Sequence, residues 1–231
     1  MITTLLSTGI SMESSGTTGP SKKIFRSPES LVANNEHAIA SQQMTPESHV
    51  YTVCSMNHAG GLLAQTLPAY SIKAHVTIDA FSAYEFVRKI RNFTHTHLTP
   101  KHAIAIMKTK GFRTLDLTGI WITIGSDPVE WHIIESFVDK GATVMANWGM
   151  TEIGPITINT VFKTHEDIQQ AKSNCPTGHT ILGNNFYCDY DIINGELWVR
   201  GSNTFKNSND WFGTSDLVTV SNGYMYYNKR M

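Results

Sequence analysis

IWITIGSDPVEWHIIESFVD, residues 120–139, is the stretch that decides the class of fold. A β-favouring run from Ile120 to Ile124 ends at Gly125, and a helical segment follows at 128–139. Asp127 stands where it can cap that helix, Pro128 takes the first helical position, where its missing N–H costs nothing, and Glu130 occupies the third place of a capping box. A strand that passes through a tight turn into a helix is the repeating unit of an α/β sheet. Turns at the carboxyl ends of such strands are where ligands bind.

Outward from this unit the alternation continues. Toward the N-terminus, β-favouring runs at 5–12, 23–25, 50–55, 74–78 and 96–98 alternate with segments of helical length at 28–42, 60–69, 80–92 and 101–109. With a further strand at 143–147, residues 1–154 read as an α/β core, a mostly parallel sheet with flanking helices. Beyond it the texture changes to β runs at 156–161, 180–182, 186–193, 196–200, 217–220 and 224–227. Asn194-Gly195 and Asn222-Gly223 are turn signals among them. Residues 155–231 are therefore expected to form a β-rich subdomain.

Composition narrows the functional classes. At 231 residues and 41% hydrophobic content the chain is long enough for one sizeable core. Its 18 basic and 19 acidic residues leave a formal charge of −1, which gives no footprint for nucleic acid or an anionic membrane. Any phosphate chemistry must be local. Cys54, Cys175 and Cys188 show no CxxC spacing, which points to a reducing, cytoplasmic setting rather than a disulfide framework or thiolate zinc site. No apolar stretch approaches the roughly 18 residues of a membrane helix. His95, His97 and His102 imitate a metal site but have no acidic neighbour.

Three segments concentrate chemistry. Ser14-Ser15-Gly16-Thr17-Thr18-Gly19-Pro20-Ser21-Lys22-Lys23 combines glycines that let backbone N–H groups form a concave nest, hydroxyl donors, and mobile positive charge, a set that suits a polyphosphate. It is not the GxxxxGK[ST] loop, and on spacing alone a flexible polar connection fits equally well. Asn147-Trp148-Gly149-Met150-Thr151-Glu152 follows a strand expected to end near Ala146. It offers an aromatic to stack on a base, a glycine for close approach, a hydroxyl for phosphate and a carboxylate for Mg²⁺. Read in isolation, Trp148 is more readily a core aromatic and Glu152 a solvated charge. In Trp211-Phe212-Gly213-Thr214-Ser215-Asp216-Leu217, the aspartate has two acceptor oxygens, which match a vicinal diol.

In this order, these segments resemble the signatures of the adenylate-forming superfamily, the acyl-CoA synthetases and AMP-dependent ligases. Gly195-Glu196-Leu197, Gly223-Tyr224-Met225 and the Asn57-His58-Ala59-Gly60-Gly61 segment add further agreement. The resemblance implies that Ser15, Gly16, Thr17, Thr18, Gly19 and Lys22 wrap the β- and γ-phosphates of ATP. It places Gly125 beside adenine and makes Asn147, Trp148, Gly149 and Met150 part of the nucleotide site. It gives Thr151 the α-phosphate, Glu152 the magnesium, Asp216 the ribose hydroxyls and Arg230 ribose and α-phosphate, with Lys22, Thr151 and Glu152 in catalytic roles. His58 falls to the acyl pocket. Departures are Pro20 and Ser21 in exchanged order, Trp148 for Tyr or Phe, Lys229 for a glycine, and Ser215 for a glycine, where a backbone the family keeps permissive would be strained.

What the resemblance implies for function is ATP- and Mg²⁺-dependent activation of a small-molecule carboxylic acid to an acyl-adenylate, with coenzyme A an open question. A family member also carries a long N-terminal portion and a C-terminal lid whose lysine stabilises the adenylation transition state. The expectation is therefore a minimal enzyme, a subunit served by a separate lid domain or carrier protein, or a catalytically weak ATP/AMP-binding module. A homo-oligomer is expected, because the surface that the family's N-terminal portion covers would otherwise stay open.

Overall fold

The computed structural model describes residues 2–13 and 22–231; the Ser14–Ser21 part of the phosphate loop lies outside them. The fold is mixed α/β, as expected, built on a seven-stranded sheet and a five-stranded sheet.

In the large sheet, β3 (His49–Thr52), β4 (His75–Ile78), β5 (His95–Leu98), β6 (Trp121–Ile124) and β7 (Thr143–Met150) run parallel in the order β7-β6-β5-β3-β4. Beyond β7 come β8 (Gly154–Phe162) and β10 (Asn185–Phe186), both antiparallel additions. The sheet therefore continues past residue 154, and the boundary expected there falls at the start of β8. β9 (Thr180–Gly183), β11 (Asp189–Ile193), β12 (Glu196–Arg200), β13 (Phe212–Ser221) and β14 (Tyr224–Arg230) make the second, antiparallel sheet in the order β11-β12-β13-β14-β9. The remaining pair, β1 (Ile10–Glu13) and β2 (Lys23–Arg26), is an antiparallel ribbon bracketing residues 14–22.

Helices cover both faces of the large sheet. On one side lie α2 (Pro28–Ser41) and the helical run 59–71, made of α3 (Ala59–Gly61), a π-helical turn Leu62–Thr66 and α4 (Leu67–Ser71). On α2, Pro28 sits in the first turn while the Ser27 hydroxyl accepts the Ser30 N–H, so one orphan donor is satisfied and one is absent. On the other side lie α5 (Ala83–Lys89), α6 (Pro100–Met107), α7 (Trp131–Val138) and α8 (His165–Ser173). Strands buried on both faces need apolar residues at consecutive positions. In β6, Trp121 packs toward α2 with Ala38 and Met145, while Ile122 and Ile124 join Ile133, Ile134 and Phe137 in the main core. Burying each of those α7 side chains stabilises the fold by about 1.5–3 kcal/mol.

Several local expectations are corrected. The helix expected from Pro128 begins at Trp131, with Glu130 at the capping position and no side-chain cap. Asp127 is not the cap: Ser126 takes a left-handed φ of 83°, and the helix starts three residues beyond Pro128. Residues 5–8 form the short helix α1 (Leu5–Thr8), closed by Gly9 at φ 73°, and only 10–13 are strand. The run 186–193 breaks at Tyr187–Cys188 and feeds two different sheets. β7 does not stop near Ala146 but carries Trp148 and Met150 along its edge with β8. Helix α8 was not read from the sequence at all.

Candidate functional site

A cleft of about 750 Å³ opens between the two sheets. Its walls are the end of β7 with the Thr151–Ile153 turn, the turn after β6, and the facing ends of β13 and β14. Lys22, Asn147, Trp148, Gly149, Met150, Thr151, Glu152, Asp216 and Arg230, residues drawn from distant parts of the sequence, all line it.

Close backbone approach shapes the floor. A Cβ on Gly125 would stand 2.5 Å from the Asn147 carbonyl oxygen, so glycine lets the end of β6 lie against β7. Gly125 itself stays under the surface and it is Ser126, Asp127 and Pro128 that line the cleft. Asn147 is buried; its Nδ2 bonds the Pro155 carbonyl while its Oδ1 has no partner among the described residues. Such an orphan acceptor in a polar cleft is a place for a ligand N–H.

On the opposite wall, β13 turns Asp216 inward until its side chain is 5% exposed. Trp148 Nε1 donates to Asp216 Oδ2 at 3.0 Å, which ties the two sheets together across the cleft. Oδ1 faces Arg230 Nε at 3.8 Å, a contact set by the direct β13–β14 register of the two residues. Burial raises the Asp216 pKa, opposed by the Arg230 charge and the Trp148 hydrogen bond. Beside it Ser215 takes φ 64°, the left-handed conformation that glycine accepts freely, and its N–H donates to Glu196 Oε1 at 2.8 Å. The same feature recurs at Ser126 across the cleft.

The turn holding Thr151 and Glu152 is supported from inside by a residue the sequence reading missed. Arg26, fully buried at the end of β2, donates from Nη1 to the Thr151 carbonyl (2.9 Å), from Nη2 to the Asn203 carbonyl (2.5 Å) and from Nε to Ser30 Oγ (3.2 Å). Burial lowers its pKa to about 10, with the Glu152 charge acting in the opposite sense. Its signal was the alternation in Lys23-Ile24-Phe25-Arg26, which places Arg26 on the same inner face as Ile24.

His58 lies outside the cleft, exposed at the start of α3. Its segment nevertheless abuts the cleft wall, since a Cβ on Gly60 would meet Ser126 Oγ at 3.2 Å and His97 Cε1 at 2.9 Å. The three clustered histidines serve separate surroundings: His95 Nε2 bonds the Gln42 carbonyl, His97 is buried with its pKa pushed down to about 4, and His102 stacks on Phe81.

The fold is α/β with a polar cleft between its two sheets, and the comparisons with known proteins give its family. The model of the AMP-binding enzyme family matches residues 12–207. The chain belongs to that family, the adenylate-forming group its motifs resemble. It is 26% identical over 241 residues to an indoleacetate–CoA ligase of Aromatoleum aromaticum, covering 94% of this chain and 46% of the relative. A Humulus lupulus protein named "Probable CoA ligase CCL5" is 26% identical over 253 residues, covering 94% and 44%. The chain thus spans about half the length of the curated relatives it matches.

Among solved structures, ATP-bound MatB from Rhodopseudomonas palustris superposes with a TM-score of 0.78 at 18% identity, over 95% of this chain and 47% of that one. O-succinylbenzoate coenzyme A synthetase from Bacillus subtilis, solved with ATP and a magnesium ion, gives 0.76 at 20%, over 95% and 49%. At these identities the superpositions show a shared fold.

Proposed function

We propose that the cleft binds Mg-ATP and that the chain forms the core of a ligase that activates a carboxylic acid as an acyl-adenylate. The observation that carries this reading is the convergence of Lys22, Thr151, Glu152, Asp216 and Arg230 on one cleft. Lys22 meets the phosphates, Thr151 the α-phosphate and Glu152 a metal, while Asp216 accepts from the ribose hydroxyls and Arg230 bridges ribose and α-phosphate. The orphan Asn147 Oδ1 suits the exocyclic amine of adenine.

Magnesium fits this donor set. Among the described residues no cluster of three or more His, Cys, Asp or Glu side chains forms a self-sufficient metal cage. Glu152 beside Thr151 is instead a hard carboxylate of the kind that holds Mg²⁺ jointly with substrate phosphates. Bound there, the ion would neutralise charge on the triphosphate. In the reaction, a carboxylate oxygen of the acid attacks the α-phosphorus, the new P–O bond replaces the bond to the β-phosphate oxygen, and pyrophosphate leaves with the electron pair. Arg230 and Lys22 face the charge that builds on the phosphates.

The curated relatives are named as CoA ligases, so the thiol of coenzyme A is the acceptor to try first. Because the chain spans about half of those relatives, a second reading has the site binding ATP and AMP and turning over only with a further lid domain or carrier protein. The decisive experiment is calorimetry with Mg-ATP and AMP, followed by ATP–pyrophosphate exchange across a panel of carboxylic acids. Binding of both nucleotides with exchange for one acid is the expected result. Binding without exchange selects the second reading, and absence of both bindings at millimolar concentration overturns the site.

A further inference from the structure

The Thr151–Glu152 turn joins β7 to β8, and something must fix which way its peptides face. The two carbonyls are pinned inward by different partners: Thr151 O accepts from Arg26 Nη1 at 2.9 Å, and Glu152 O accepts from the Phe205 N–H at 2.7 Å. With both oxygens held toward the interior, both side chains are left to line the cleft. Gly154 completes the turn at φ 95°, where a Cβ would stand 2.7 Å from Asn34 Oδ1 and 3.6 Å from Arg26 Nη2.

Arg26 is unlike an ordinary structural arginine. It is fully buried, and among the described residues no carboxylate lies within ion-pair distance of it. Its acceptors are neutral: two carbonyls from remote loops, and Ser30 on α2. A buried cation costs several kcal/mol unless its hydrogen bonds are satisfied, so a purely packing role would be served better by an apolar side chain. Its place also matters. Arg26 ends β2, the strand entered directly from Lys22 in the cleft.

We propose that Arg26 is the positioning residue of the nucleotide site, holding the Thr151–Glu152 turn in its metal-binding orientation and locking that turn to the strand that follows the phosphate loop. This rests on the Mg-ATP reading of the cleft. A fork of donors reaching three segments at once does what a lysine cannot, because an ammonium has no planar geometry to span carbonyls on two loops and a hydroxyl on a helix.

The test is Arg26→Lys, read in two ways. In the ligand-free protein, hydrogen exchange at the Phe205 amide, which reports the turn through Glu152 O, should accelerate by roughly tenfold or more. Met145 and Ala146 amides in β7 should stay within about twofold of wild type. In binding, Mg-ATP affinity should fall roughly tenfold and metal-free AMP by a smaller factor, about threefold or less, because AMP meets the turn only through Thr151 at its α-phosphate while Mg-ATP also depends on the metal held at Glu152. Equal losses for the two ligands, or unchanged Phe205 exchange, overturn the proposal. Should Arg26→Lys fail to fold, Ser30→Ala, which removes the Nε acceptor together with the Ser30 Oγ bond to the Ser27 carbonyl, shows the same split at smaller size; wild-type behaviour of that variant overturns it. If the wild-type protein binds neither nucleotide, the Mg-ATP reading falls, and the exchange measurement still decides whether Arg26 holds the turn.

Discussion

Glu152 and Asp216 stand on opposite walls of one cleft and are assigned different parts of one ligand, so their loss should be distinguishable. Glu152→Gln keeps the size and removes the charge that holds magnesium; Mg-ATP binding should weaken while metal-free AMP is nearly unaffected. Asp216→Ala removes the diol acceptor and should weaken both nucleotides by about 1.5–3 kcal/mol. Calorimetry on the two variants checks this, and equal losses of AMP affinity would refute the assignment. Asp216 also carries a pH signature. Its folded-state pKa is raised by burial, so its contribution to stability is fully present below the unfolded-state value of about 3.9 and is lost as pH rises through the folded value. Asp216→Asn, which keeps the Trp148 acceptor without the charge, should therefore melt higher than wild type at pH 7 and match it near pH 3. Melting scans across that range give the answer. At this scale the sequence singled out, from local motifs, residues that the fold brings to one cleft, as with Thr151, Glu152 and Asp216. It was silent on Arg26, whose partners at Ser30, Thr151 and Asn203 are brought together only by the fold.

Elements were legible to the extent that their signals are local too. The strand–turn–helix at 120–139 is present, and the helical segment expected at 28–42 agrees with α2 at Pro28–Ser41, whose Ser27 cap and first-turn proline act within a few residues. Strand ends were not, since they depend on a partner: β7 extends to Met150 because β8 pairs with it, and β13 starts at Phe212 because β12 does. Helix α8 had a readable start. Thr164 accepts from the Asp167 N–H and Asp167 accepts from the Thr164 N–H, a full capping box. Its polar face hid it among the β runs, for only Ile168 and Ala171 are buried. Thr164→Ala should cost about 1 kcal/mol, seen as a shift of the urea midpoint with unchanged slope; a neutral result would mean the helix is held by Ile168, Ala171 and the Lys172–Glu135 pair alone.

Over the whole molecule, the two sheets are not independent halves. Ile153 from the β7–β8 turn and Ile158 from the large sheet pack with Leu182, Leu197, Val199, Val218 and Met225 from the small one, and Trp148 and Met150 lean on that cluster. Both sheets also leave an edge strand open, β4 with Ile78 exposed and β11 with Tyr190 and Ile193 exposed. Open edges favour pairing with another chain, and light scattering at micromolar concentration should give a mass above the 25.7 kDa of one chain; a strict monomer would count against that. The hydrogen bond from Trp148 to Asp216 crosses from one sheet to the other and ends on the group assigned to ribose. It therefore makes the protein its own optical sensor. A nucleotide that takes the Asp216 oxygens must change the electrostatic surroundings of the Trp148 indole, and so its emission. AMP titration should shift the intrinsic fluorescence of the wild-type chain, and Trp148→Phe should remove the signal while the four other tryptophans continue to emit.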